Sequence, residues 1–502
     1  MAVKNKVVLF YPRYDGPPLS APMCLLALAS PLLEAGYRVA VMDAAITADY
    51  EKRIAQEVAD PETVCLGVSV LTGPMIRGAI RVAQKTKQQH PHLPVIFGGW
   101  HPTLLPEQTL RPDFVDAVVR GQGELTFVEV VERLAHGEGL EGVRGTSHKT
   151  GGRVVSEAER PVVNINQLPL PAYHLADHDA YARICGVRKL AYATSVGCPY
   201  ACHYCTDQVF YSRRFNALAA SRAVAEMVEL AQRYRAEEIA LLDSNFPVDV
   251  HRAVAIARGI LDSGVRFRWT FQASTDFLCR MSDEEVQVLA ASGVTHMGFG
   301  TESASLEVLA LMNKKHQRID QMYETARKAQ RAGIHLTFNL IFGYPGETEA
   351  DRIETFRVMG DIARQFWNVS FSPNIFTPYP GIDIWPQLRA MGVREPQSLE
   401  EWVELPLGQN VLPWLQGEEL RRLRSMLEFF LLHNQIRKAT KNSPWLRTGL
   451  RRMLTAPVRW RVRTNHLAFP WELWLARGAE KLVTRRSLLT GQPLGHSMDE
   501  VC

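Results

Sequence analysis

Over the first 150 residues, short runs of β-branched and aromatic residues alternate with longer stretches whose apolar positions recur every three or four residues. The continuous apolar runs predict strands at 6–11, 38–43, 63–70, 94–97 and 116–120, and the helical period predicts helices at 21–35, at 74–90 and from beyond 120 to about 135. Such an alternation builds a parallel sheet covered by helices. From 151 to 173 the periodicity fades and Pro161, Pro169 and Pro171 mark a linker. A second alternation follows, with strands predicted at 190–195, 238–242, 266–272, 294–299, 334–342 and 368–376. One intervening helix opens on Ser282 and Glu285 at capping-box spacing. Past Leu388 strand signals cease and the pattern is helical, interrupted by prolines.

The fold class is therefore α/β, with an N-terminal doubly wound domain of the Rossmann or flavodoxin kind at 1–150 and a linker at 151–187. An open, partial (β/α)6 barrel follows at 188–385, and a helical region at 386–502. Open parallel sheets bind ligands beyond the carboxyl ends of their strands. Those ends carry Tyr11-Pro12, residues 69–73, Gly98-Gly99-Trp100-His101-Pro102 and Gly121-Gln122-Gly123-Glu124. Glycine lets a backbone approach a ligand closely, and turn chemistry accounts for it there equally well.

Composition adds two constraints. The chain has 502 residues, 46% of them hydrophobic and 22% charged, as an ordinary folded protein does. Its net charge of +4 excludes a global nucleic-acid-binding field, but the charge is uneven. Between Arg437 and Arg486 thirteen Lys and Arg face two acids, an excess of +11 that leaves the rest of the chain at −7. The same segment holds Trp445, Trp460, Trp471 and Trp474. Basic residues mixed with tryptophan suit an interfacial element at a membrane surface; a helical cap with a solvated basic face fits the pattern as well. No apolar run is long enough to span a bilayer, and the apolar start is too short for a signal peptide, so a reducing cytoplasm is expected, in which disulfides are rare.

Three of the eight cysteines then need another explanation. Cys198, Cys202 and Cys205 form a CxxxCxxC arrangement just past a predicted strand, where barrel enzymes place their chemistry. Three thiolates hold three irons of a four-iron, four-sulfur cluster and leave the fourth iron open. A structural zinc site wants four ligands, and His203, between two of the cysteines, is poorly spaced to be the fourth. Cys24, Cys65, Cys185 and Cys279 read as small core residues.

With Tyr204 before its last cysteine, this motif resembles that of the radical S-adenosylmethionine (AdoMet) superfamily, in which the open iron binds the amino and carboxyl groups of AdoMet and reductive cleavage releases a 5′-deoxyadenosyl radical. The resemblance extends through the barrel. It implies Tyr204 against AdoMet and Asn245, in Leu242-Asp243-Ser244-Asn245, on the methionine amino side, although the usual Gly-Gly-Glu is absent. Gln272 and Ser274 fall where a methionine carboxylate binds, Glu302 in Gly300-Thr301-Glu302-Ser303 beside the ribose, and Asn339 and Gly343 in the adenine-side segment ending at Glu347. Glu302 and Glu347 are also positioned to cap helices.

Ahead of this barrel, Ser-Val-Leu-Thr-Gly, Phe-Gly-Gly-Trp-His-Pro and Arg-Gly-Gln-Gly-Glu-Leu-Thr make the N-terminal domain similar to that of the cobalamin-binding radical AdoMet group, over residues 5–385 in all. Ser69, Thr72, Gly98, Gly99, His101, Gly121, Gly123 and Glu124 would contact the corrin. No DxHxxG is present, so cobalt is expected without a protein histidine ligand, and Gln122 replaces a usual acid.

The resemblance implies an enzyme that uses a [4Fe–4S] cluster, AdoMet and cobalamin to methylate an unactivated carbon of a hydrophobic substrate such as a lipid, hopanoid or tetrapyrrole. Oxidation, cyclisation or carbon–carbon coupling on the same substrate class, and a cobalamin-binding sensor, are the alternatives. It further implies a flavodoxin or ferredoxin as electron donor and no nucleic-acid partner, in the cytoplasm or at the inner face of the membrane. Catalytic side chains are not assigned; Tyr379 and His296 read as packing residues more readily than as bases.

Overall fold

The computed structural model describes residues 4–14, 16, 18, 20–404, 412–439 and 449–475. Trp445, Cys502 and the basic residues from Lys441 to Arg447 and from Arg477 to Arg486 lie outside them. The chain divides into two compact units. The first comprises 1–244, 378–385 and 394–407; the second comprises 245–377, 386–393 and 408–502.

The first unit is built on a seven-stranded sheet: β1 (Lys6–Tyr11), β2 (Arg38–Asp43), β3 (Thr63–Ser69), β4 (Val95–Gly98), β5 (Ala117–Val119), β6 (Thr146–Thr150) and β7 (Arg153–Ser156), in the order β2-β1-β3-β4-β5-β6-β7. β1 to β5 are parallel, and the order reverses between β1 and β3, as in a flavodoxin-like sheet. All seven residues of β3 are buried, which is why that strand reads as an unbroken apolar run. Helices Met23–Glu34 and Glu124–Ala135 cover one face, with Leu25, Leu32, Phe127 and Val130 closing over Val7, Leu9 and Ile96. Gly67 is required by this packing, since a Cβ there would stand 2.9 Å from both Leu9 and Phe127. The antiparallel hairpin β6–β7 extends the sheet beyond what periodicity predicts, and a further helix occupies Tyr50–Val58.

This unit also holds two parallel strands of the second series, β8 (Lys189–Tyr192) and β11 (Glu238–Leu241), and a short antiparallel pair, β9 (Ser195–Val196) with β10 (Asn216–Ala217). The second unit carries β12 (Arg268–Ser274), β13 (Val294–Glu302), β14 (His335–Phe342) and β15 (Val369–Ile375), parallel and in sequence order. All six predicted barrel strands are present, and the Ser282–Glu285 capping box forms. Two aromatic groups fill the second unit: Phe246, Trp269, Phe271 and Phe277, and Phe342, Phe356, Phe371 and Phe430.

The helical C-terminal region protects a strand edge. Asn434, on helix Gly417–Ala439, accepts from the Phe371 N–H at 3.0 Å and donates to the Phe371 carbonyl at 2.6 Å, giving β15 the partners that another strand would supply. Helix Gly449–Thr464 packs beside it, and no described helix is long and apolar enough to cross a membrane.

Candidate active site

In the first unit, the loops after β3, β4 and β5 gather the residues predicted to face cobalamin. Ser69 and Thr72 are buried, and Thr72 Oγ1 lies 3.1 Å from His101 Nδ1. His101 is fully buried, its Nε2 has no hydrogen-bond partner, and burial holds its pKa down to about 3, so the ring is neutral. Gly99 has φ +93, and a Cβ there would meet Val70 backbone atoms at 3.0 and 3.1 Å. The Gly121 N–H donates to Thr103 Oγ1 at 3.0 Å, and Gly123 caps the helix that begins at Glu124. Burial raises the Glu124 carboxyl, whose Oε2 has no partner. Gln122 accepts from the Val163 N–H at 2.7 Å, and its Nε2 is a third unpartnered buried atom. A rim of glycine backbone with unsatisfied polar atoms fits a large ligand rich in amides.

Trp402, 300 residues away in sequence, completes this rim in a way that periodicity could not reveal. It is fully buried, donates from Nε1 to Gln108 Oε1 at 2.7 Å and sets its ring edge-on to His101 at 5.8 Å.

The cysteines lie on an excursion framed by β9 and β10. Asp243, just past β11, anchors its entry by accepting from the Thr194 N–H at 2.8 Å, Thr194 Oγ1 at 2.7 Å and Ser195 Oγ at 2.5 Å. Cys202 is buried and Cys198 and Cys205 half-buried, and the Cys205 N–H donates to the Cys202 carbonyl at 3.0 Å. Burial beside Asp207, Cys202 and Cys198 pushes the Cys205 thiol up to about 12, so its thiolate form needs a metal to displace the proton. No group of three or more Cys, His, Asp or Glu among the described residues closes on a single point as a one-metal cage does. A cubane takes each thiolate at a different iron, so convergence on one point is not required. Tyr204 is half-buried between the last two cysteines. Asp207 accepts from Ser244 Oγ at 2.7 Å, and its Oδ2 is buried without a partner.

The excursion packs onto the loop after β4. Trp100, between Gly99 and His101, packs at a tilt against Phe210 at 4.3 Å and meets Tyr211 edge-on at 6.1 Å.

The second unit brings together most of the remaining predicted residues. Gln272 Oε1 accepts from Asn339 Nδ2 at 3.4 Å, in the space left by Gly298, whose Cβ would overlap that amide. The Ser274 hydroxyl donates to Asp276 at 2.6 Å, and Asn245 is buried with an unpartnered Oδ1. The register of β13 shifts between Gly300 and Glu302, a bulge that turns Glu302 to φ +60. There Lys314, which the sequence reading did not single out, donates to Glu302 Oε1 at 2.9 Å and to the Gly300 carbonyl at 2.7 Å, with both side chains over nine-tenths buried. Gly343 has φ +74, its carbonyl accepts from Trp414 Nε1 at 3.0 Å, and its N–H donates to Glu347 at 2.5 Å. His296 Nε2 is 2.8 Å from Thr337 Oγ1 within the sheet, and in the first unit burial lifts Tyr379 to about 12; both behave as packing residues. Of the lone cysteines only Cys65 is a core residue. Cys24 is exposed in the first turn of its helix, while Cys185 and Cys279 are half-buried.

Burial outweighs the neighbouring Arg352 and lifts Glu347 to about 7 from its ordinary 4.5. Between those values the folded state holds a proton that the unfolded chain has released, so stability falls as pH rises from about 5 to 7, by on the order of 3 kcal/mol. Glu347→Gln is expected to flatten that slope, read as the difference between melting temperatures at about pH 5.5 and 8.

The B12 binding domain model matches residues 6–131, and the Radical SAM superfamily model matches residues 192–359. An uncharacterized methyltransferase of Pyrococcus horikoshii is 31% identical over 328 residues, covering 65% of this chain and 69% of the relative. The chain belongs to this family of B12-binding radical SAM enzymes. Its cofactors are a [4Fe–4S] cluster, AdoMet and cobalamin. The anaerobic magnesium-protoporphyrin IX monomethyl ester cyclase of Rubrivivax gelatinosus is 23% identical over 397 residues, 76% of this chain and 70% of the cyclase. The radical AdoMet methyltransferase TsrM of Kitasatospora setae shares the fold, with a TM-score of 0.66 over 78% of each chain at 21% identity.

Proposed function

We propose that this member of the cobalamin-dependent radical SAM methyltransferase family methylates an unactivated carbon of a hydrophobic substrate, a lipid, hopanoid or tetrapyrrole. When bound, the cluster and AdoMet supply a carbon-centred radical and cobalamin supplies a transferable methyl group. The observation that carries the reading is the Trp100–Phe210 contact, which ties the cysteine excursion to the glycine rim so that substrate can meet both cofactors.

The chain's own residues then divide the work. Cys198, Cys202 and Cys205 hold the cluster, and Tyr204 contacts AdoMet. Asn245, Gln272 and Ser274 hold the methionine end of AdoMet, Glu302 the ribose hydroxyls, and Asn339 and Gly343 the adenine side. Ser69, Thr72, Gly98, Gly99, His101, Gly121, Gly123 and Glu124 seat the corrin, with neutral His101 offering Nε2 to a corrin amide rather than a charge. A flavodoxin or ferredoxin would deliver the electron. The cytoplasm is the proposed compartment, with peripheral contact at the inner face of the membrane through the C-terminal region.

Lys314 is a positioning residue in this scheme. Lys314→Met leaves Glu302 a buried charge without its cation, a change that costs about 3 kcal/mol of stability. AdoMet affinity, read by equilibrium binding, is expected to fall at least about tenfold, with Lys314→Arg recovering part of it.

The reaction is tested by anaerobic reconstitution with both cofactors and a lipid and pigment extract. S-adenosylhomocysteine formed alongside 5′-deoxyadenosine supports methylation. 5′-Deoxyadenosine alone supports the oxidation, cyclisation or coupling that the cyclase relative suggests, and neither product sinks the enzyme reading in favour of a cobalamin sensor.

A further inference from the structure

Among the described residues, the last stretch of the second unit presents a surface that their packing leaves open. Met453, Trp460, Phe469, Trp471, Trp474 and Leu475 are between 44 and 72% exposed, all within 23 residues of helix Gly449–Thr464 and the turn after it. The exposure is not that of a frayed end. Arg461, 4% exposed, pairs with Glu472 at 2.6 Å and donates to the Ala468 and Phe469 carbonyls at 2.8 Å each, fixing the turn onto the helix. On that frame Trp460 packs at a tilt against His466 at 4.8 Å and Phe469 meets Trp474 edge-on at 4.9 Å. A buried guanidinium thus holds large rings outward, against the tendency of such side chains to pack inside.

A shallow cationic cleft, with an interior of only about 20 Å³, opens to solvent on the same helical layer. Arg364, Arg437 and Arg459 line it together with His433, Thr455 and Trp367. Arg437 is oriented by His335 Nδ1 at 2.9 Å and by Ser370, and Arg364 is 3.4 Å from Asp361. Arg459 is next in sequence to the exposed Trp460, so cleft and rings share one helix.

We propose that this corner of the second unit docks on an anionic phospholipid bilayer, with lipid phosphates in the Arg364–Arg437–Arg459 cleft and the Trp460, Phe469 and Trp474 rings at the headgroup level. The proposal rests on the peripheral-contact reading above and gives it a surface. Charge complementarity selects the partner: Arg364, Arg437 and Arg459 line the cleft, and rings interleaved with arginine suit the boundary between headgroup and acyl chain. A nucleic acid would meet the same charge but has no use for the exposed Met453 and Leu475.

The test is flotation of the full-length protein with vesicles of phosphatidylcholine alone or with added phosphatidylglycerol, in parallel with a mixed-sequence RNA retention assay. Binding to the anionic vesicles at least about tenfold above the neutral ones is expected. Phe469→Ser with Trp474→Ser should weaken it more than about tenfold, and Arg364→Gln with Arg459→Gln by about 30-fold, with unchanged melting temperatures. Equal recovery on both vesicles, no flotation, or ring variants that float like the parent would each overturn the proposal, as would retention on RNA without flotation. A parent that elutes as a dimer and ring variants that elute as monomers would assign the surface to a second copy instead. Product formation by soluble protein is measured separately, so losing the vesicle result leaves the methylation reading standing, and the reverse holds too.

Discussion

Replacing Cys202 by alanine is expected to abolish 5′-deoxyadenosine formation and to drop reconstituted iron from about four per chain to well under one. Cys202 is the most buried of the three cysteines, and its carbonyl accepts the Cys205 N–H, so it sits at the pivot of the excursion. A cubane held by three thiolates already leaves one iron open; with two ligands it loses the geometry that keeps a single iron available. The fold does not depend on the thiol in the same way, because the excursion is tied down by the three hydrogen bonds to Asp243 and by the Trp100–Phe210 contact. Melting temperature should therefore change far less than iron content. Cys279→Ala is the matched control: its half-buried thiol contacts only Gln321 and Thr325 among the described hydrogen bonds, and its loss should leave iron and product unaffected. Parent-like product formation by the Cys202 variant would remove the cysteine excursion from the reaction.

The strands were legible because parallel strands covered on both faces read as near-continuous apolar runs, as Val-Cys-Leu-Gly-Val within β3 does. The β6–β7 hairpin was not: β7 is exposed along its whole length, and Thr-Ser-His-Lys-Thr in β6 offers no alternation. Candidate site residues were legible where a local motif carries them, as with the cysteines and the glycines after β4 and β5. Partners distant in sequence carry no such signal. Lys314 looks like one of two surface lysines in Asn-Lys-Lys-His until the bulge at Glu302 brings the carboxylate to it. Trp402 lies beyond the last strand, in a region whose only sequence signals are helix and proline, yet it packs on His101. Asp243 stood in a quoted motif, but its three bonds to the Thr194–Ser195 corner arise only when β8 and β11 pair.

Gly197 separates local strain from misplacement of the cysteines. Its φ is +73, and a Cβ would stand 2.0 Å from the Arg214 carbonyl oxygen and 2.9 Å from Tyr211 Cβ. Gly186, which caps helix His178–Cys185 in the same unit, has a nearly identical φ of +71 with open space around it. Gly186→Ala therefore measures the left-handed backbone cost alone, about 1 kcal/mol, and should leave the iron content unchanged. Gly197→Ala adds an overlap with backbone rather than with a flexible side-chain end, so either strand β9 or the Arg214 segment must move. The expected loss is more than about 3 kcal/mol, a melting temperature clearly below that of the Gly186 variant. Because the displaced atoms belong to the two ends of the cysteine excursion, reconstituted iron should fall by at least about half. Cobalamin affinity, seated on the loops after β3 to β5, should fall much less. Equal melting temperatures and iron contents in the two alanine variants would show that the excursion relaxes freely, and the framing by β9 and β10 would then not be what positions the three thiols.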